Sequence, residues 1–154
     1  MGKISFTKLG VKINNNVDTF LWNELCVEVR QYLPIKEKAA MIGRIINNSA
    51  EKNGFYNPLQ LKMFLILETV YSYTNINFTE KQKENVDKLY DTIVSSGLFD
   101  KILEFIPVKE WNELEETVTH TISKIYEYRN SVIGLLDTIT TDYDSTKIDI
   151  EAIQ

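Results

Sequence analysis

At 154 residues, with 44% hydrophobic and 25% charged side chains, the chain has the make-up of one folded domain rather than of a disordered or fibrous protein. Its net charge of -5, with no run of Lys or Arg, excludes a surface built to displace counterions from nucleic-acid phosphates. A lone cysteine, Cys26, excludes an internal disulfide framework.

The opening residues MGKISFTKLG lack the apolar core of about 7–15 residues that a secretory signal carries. Ile4 and Phe6, then Leu9, Val11 and Ile13, recur at every second position and predict strand. Asn14-Asn15-Asn16 breaks the pattern, since Asn tolerates left-handed backbone angles. VDTFLW and LCVEVRQYL then flank Asn23-Glu24 and predict a hairpin, with Leu25, Val27 and Val29 facing inward. Residues 4–32 are thus expected to form a β-ribbon of two to four strands.

Pro34 ends the ribbon and suits the first position of a helix. Ile35, Ala39, Ile42, Ile45 and Ile46 share one helical face, with Lys36, Glu37, Lys38 and Arg44 mostly elsewhere. Asn57 and Pro58 give a cap and first residue to QLKMFLILETVYSY, a helix apolar nearly all round and so central to the core. It is interrupted by Lys62 and Glu68 and is shorter than the roughly 20 apolar residues of a bilayer span.

Thr79 with Gln82 makes a capping box, so the next helix starts there or nearer Asn85 and stops at Gly97. LFDKILEFI forms a short amphipathic helix before Pro107. A single long helix is expected from Lys109 to Thr138, with Trp111, Leu114, Val118, Ile122, Ile125, Val132 and Leu136 along one stripe. Residues 141–154 read as a polar, acidic tail, mobile unless a partner orders it. The fold class is α+β, mainly α: a single domain over 1–140, with the ribbon packed on about five helices over 34–140.

No catalytic pattern accompanies this layout. His120 is the only histidine, no GxSxG, HExxH or CxxC occurs, and the scattered glycines build neither a P-loop nor a dinucleotide turn. Asp142 and Asp144 resemble the first half of a calcium loop, but its glycine and closing glutamate are absent. Glu113, Glu115 and Glu116 suit the start of a helix, where the dipole favours negative charge. Tyr71, Tyr73, Phe78, Phe55 and Tyr56 could stack bases, yet the net charge removes the electrostatic half of that mechanism. No enzyme activity, cofactor or metal is expected.

Protein contacts are the remaining class. Phe20 and Trp22 on the ribbon, and Tyr126, Tyr128 and Arg129 on the long helix, are the candidate partner-binding residues, because aromatic side chains and Arg are favoured in interfaces. The free ribbon edge can pair with a partner's strand, and the long helix offers a second surface or a contact between copies.

Three stretches carry a resemblance: WNELCVEVRQYLPIKEKAAMI (22–42), YSYTNINFTEKQKENVDKLYDTIVSSGL (71–98) and YEYRNSVIGLLDTI (126–139). Together they resemble small virion and tail-assembly proteins of tailed phages of Gram-positive bacteria. The hairpin-then-helices layout is similar to phage tail-assembly chaperones, although Asn23-Glu24 stands where the usual turn is Asn-Gly. The resemblance implies a non-enzymatic assembly protein in the host cytoplasm or the virion, binding tail-tube or tape-measure subunits. A structural virion component of the head or connector is an alternative, and small size, acidity and the lack of a catalytic pattern also suit a phage-encoded inhibitor of a host defence or host enzyme. No nucleic-acid or membrane partner is implied.

Overall fold

The computed structural model describes residues 1–140. It contains strands β1 (Val17–Trp22) and β2 (Leu25–Arg30) and helices α1 (Ile35–Ser49), α2 (Pro58–Tyr73), α3 (Glu80–Glu84), α4 (Val86–Ser95), α5 (Leu98–Leu103) and α6 (Val108–Arg129). Residues 132–140 are helical again. The fold is α+β and mainly α. The chain divides into two compact units, Met1–Glu113 and a second beginning at Leu114, within α6.

In the first unit, β1 and β2 form an antiparallel hairpin that pairs Val17 with Arg30 and Trp22 with Leu25. Asn23 and Glu24 both take positive φ, 46° and 66°, as the tight two-residue turn matched to strand twist requires. Phe20, Val27 and Val29 are buried while Cys26 and Glu28 are exposed, the alternation expected of β2, but Leu25, expected inward with them, is exposed beside the turn. The Phe20 ring stacks on Phe105, with centroids 5.1 Å apart.

The strand expected over residues 4–13 does not form. Phe6–Leu9 is a single 3-10 turn closed by Gly10 at φ 62°, and every residue from 1 to 16 is exposed. The physical reason lies in the phase of the pattern. Ile4 and Phe6 occupy even positions and Leu9, Val11 and Ile13 odd ones, so one strand cannot turn both sets to the same face.

The helix starts follow local chemistry. The Asn57 side chain accepts from the amides of Leu59 and Gln60, and Pro58 needs no partner at the first position. Thr79 and Gln82 form the full capping box, and Asn85 separately caps α4 by accepting from the Lys88 amide. Both expected starts are therefore used, and one expected helix becomes two. Gly97, at φ 81°, ends α4 and opens α5.

On α1 the buried arc is Lys38, Met41, Ile42, Ile45, Ile46 and Ser49, whereas Ile35 and Ala39 are exposed. The arc is rotated toward Lys38 because that ammonium has a buried partner. Lys38 is 4% exposed and Glu110 7%. Lys38 Nζ lies 2.9 Å from Glu110 Oε1 and 3.8 Å from Glu113 Oε1. The same Glu110 oxygen accepts from the Tyr73 hydroxyl at 2.7 Å and the Leu33 amide at 3.2 Å. Burial pushes the Glu110 carboxyl up, but the bonds from Tyr73, Lys38 and Leu33 outweigh it and hold it below its ordinary value of 4.5. Burial first, and then the bond to Glu110, push the Tyr73 phenol above its ordinary range.

In the second unit, α6 ends at Arg129 and the single helix expected to Thr138 is broken at residues 130–131. Ser131 Oγ accepts from the Gly134 amide at 3.1 Å, so Ser131 caps the helical stretch that follows. A Cβ on Gly134 would sit 1.9 Å from the Tyr128 carbonyl oxygen, a contact only glycine avoids. The acidic segment read at 141–154 lies outside the described residues.

Lys38→Met strands a buried carboxylate and is expected to cost about 3–5 kcal/mol at neutral pH. Because Glu110 has a depressed carboxyl, its contribution is present above its ordinary value and fades as pH falls through the lower folded value. Denaturant titrations should therefore find the Lys38→Met penalty smaller in acid, where Glu110 can protonate, than at neutral pH. Glu24→Gly, at a position with φ 66°, should raise stability by up to about 1 kcal/mol in the same assay.

Candidate functional site

A two-stranded sheet has two edges, and this chain closes one of them itself. The Glu28 amide donates to the Asn75 side-chain oxygen at 3.0 Å, and the Glu28 carbonyl accepts from the Asn75 amide at 3.3 Å. Asn75 Nδ2 donates to the Cys26 carbonyl at 3.3 Å, and Val29 bridges to Thr74. The residues after α2 thus cover the outer edge of β2 from Cys26 to Val29.

The other edge belongs to β1. The Gln31 amide donates to the Asn16 carbonyl at 3.1 Å, which fixes the phase of the ladder. Asp18, Phe20 and Trp22 therefore direct their backbone groups at β2, and Val17, Thr19 and Leu21 direct theirs outward. No other described residue engages these outward groups. Side chains of the same three residues are exposed, Val17 by 46% and Leu21 by 73%.

Of the expected contact residues on β1, Phe20 is in the core against Phe105 and Trp22 is half-buried on the same face. The available surface of β1 is its opposite face and its edge. Tyr128 and Arg129 line one open cleft together with Lys124, Gly134 and Asp137, while Tyr126 is half-buried and outside that lining. The Tyr128 hydroxyl donates to the Asp137 carboxylate, and that bond pushes its phenol up. Tyr128 therefore acts first within its own unit, bracing the turn at 130–131. Around it Val132, Ile133, Leu135, Leu136 and Ile139 are all exposed.

The chemistry-bearing groups are arranged as follows. Cys26 is exposed on the outer face of β2 and His120 is exposed on α6. Tyr73, considered above as a base-stacking ring, is buried with its hydroxyl committed to Glu110. Among the described residues no group of three or more His, Cys, Asp or Glu side chains is placed to hold a metal ion. Asp142 and Asp144 lie outside those residues. Lys38, Tyr73 and Glu110 are a buried polar cluster, but each is withdrawn from solvent and fully partnered. That makes the cluster structural. Among the described residues no helix is long and apolar enough to cross a membrane.

Sequence reasoning missed two parts of this site. Asn75 carried no signal beyond a turn preference, since its role depends on a strand 47 residues earlier. Asn130-Ser131 did carry one, because Ser is a preferred N-cap, but the apolar stripe running through it masked the break.

No protein-family model, no curated protein and no solved structure matches the chain.

Gly134→Ala should open the turn at 130–131. Overpacking of this kind costs about 1–3 kcal/mol, so amide exchange over residues 130–140 should accelerate about tenfold or more while the first unit keeps its protection.

Proposed function

We propose that the protein acts by binding other proteins during assembly of a tailed-phage particle, as a chaperone-like holder of a tail-tube or tape-measure subunit. The observation that carries this reading is the exposure of large apolar side chains in two segments. Ile4, Phe6, Leu9, Val11 and Ile13 are exposed before β1, and Val132, Ile133, Leu135, Leu136 and Ile139 are exposed after α6. Scattered apolar residues on a surface are ordinary, whereas groups of five along a short segment mark interaction sites. The resemblance of residues 22–42, 71–98 and 126–139 to tail-assembly proteins supplies the class of partner.

A holder works by covering a subunit's assembly surface until that subunit meets its own kind. Flexible apolar contacts suit this task, because they shield hydrophobic surface without fixing one geometry. The net charge of -5 keeps the resulting complex soluble.

Co-expression with the tail-tube or tape-measure protein of the same phage should raise the soluble fraction of that protein and yield a complex on size exclusion. Deleting residues 1–13, none of which is buried, should leave folding stability within about 0.5 kcal/mol. The same deletion should weaken the complex. Unchanged partner solubility, with no complex formed, would overturn the reading.

A further inference from the structure

We infer that the open edge of β1 is a contact between two copies of this chain, paired antiparallel across a twofold axis at Thr19. The inference is independent of the holder reading above, because it concerns a different surface and a different partner.

Four observations lead to it. The outer edge of β2 is closed by Thr74 and Asn75, so among the described residues β1 carries the unpaired edge of this two-stranded sheet. The outward positions of β1 are Val17, Thr19 and Leu21, and none is Lys, another charged residue or Pro. Those are the devices by which proteins blunt an edge against pairing. The strand runs six residues in unbroken register, with no bulge to turn the edge away from another strand. Finally, the edge is complementary to itself.

That complementarity follows from the spacing. An antiparallel pair of identical strands centred on Thr19 sets Val17 opposite Leu21 of the second copy, Thr19 opposite Thr19, and Leu21 opposite Val17. It is the register that pairs all three outward residues of both strands, each exchanging two backbone hydrogen bonds with its opposite. On the exposed face, two aliphatic pairs flank a Thr–Thr pair, and both kinds of cross-strand neighbour are favourable. Glu28 lies beside Thr19 and Arg30 beside Val17 on β2, one strand removed from the junction. Arg30 is already paired with Glu37 at 2.8 Å. No like charges meet across the axis. The product is a four-stranded sheet in the order β2-β1-β1-β2, with its outer edges closed by Asn75 of each copy. Such an isologous contact closes on itself and does not propagate into a fibre.

An edge contact of this length is a small interface, so the dimer should be weak and dependent on concentration. Sedimentation velocity over a dilution series of the full chain should resolve a monomer–dimer equilibrium. Leu21→Lys, which guards the edge without touching the core, should weaken the dimer about tenfold or more while leaving circular dichroism and the melting curve unchanged. In a Cys26→Ser background, Thr19→Cys should cross-link to itself on oxidation, because directly opposed residues of a hydrogen-bonded pair lie about 5.5 Å apart, within disulfide reach. In that background Val17→Cys and Leu21→Cys should cross-link when mixed and not when oxidised alone. A monomer at every concentration would overturn the inference. So would a dimer indifferent to Leu21→Lys whose Thr19→Cys form does not cross-link.

Discussion

One carboxylate oxygen organises the first unit. Glu110 Oε1 receives the Lys38 ammonium, the Tyr73 hydroxyl and the Leu33 amide, and these come from α1, the end of α2 and the link between β2 and α1. The apolar core around them includes Val29, Met41, Ile45, Val70 and Ile102, all fully enclosed. Apolar burial supplies most of the driving force for folding, but it is non-directional and tolerates sliding. The Glu110 oxygen does not tolerate it. Its three donors fix a distance and a direction for each segment, and a shift of one helical position would leave a buried charge unpaired at several kcal/mol.

The consequence reaches the sheet. Tyr73 is the last residue of α2, and Thr74 and Asn75 are the residues that close the edge of β2. Holding the Tyr73 hydroxyl against Glu110 sets where the chain leaves α2, and so where the Asn75 side chain meets Cys26 and Glu28. Leu33 performs the matching task from the other side, tying the exit of β2 to the same carboxylate. Hairpin and helices are therefore coupled through polar contacts that number only a few but admit one arrangement.

Much of the fold was legible where local chemistry decides structure. Asn57-Pro58, the Thr79–Gln82 box, Asn85 and Gly97 each satisfy orphaned backbone groups or supply a positive φ, and those demands are met within a few residues. The alternation of β2 was equally plain at Val27 and Val29, which are buried, while Leu25 on the same face lies at the turn and is exposed. Legibility failed where a distant partner decides. Lys38 looks like a solvated residue of α1 until Glu110, 72 positions later, is brought beside it, and then the whole buried arc turns away from Ile35 and Ala39. Residues 4–13 fail in the opposite sense: the alternation is there, but its phase slips between Phe6 and Leu9 and nothing described receives it. Phe20 was legible as a special aromatic, and its stacking on Phe105 gives it a packing role instead of a surface one.

The candidate interaction surfaces follow from the same division. Asn75 uses both its backbone and its side chain to close β2, so one edge of the hairpin is consumed by the fold. Among the described residues β1 has no strand neighbour besides β2, and residues 1–16 supply none. An unpaired edge of Val, Thr and Leu is a liability in any soluble chain, and its usual remedy is a lysine or proline that this strand lacks. Pairing with an identical strand satisfies the backbone groups of both at once. It also converts the exposed face of β1 from two separate aliphatic residues into two Val17–Leu21 pairs on either side of a Thr–Thr pair, so each aliphatic side chain gains a cross-strand neighbour that one copy alone does not give it.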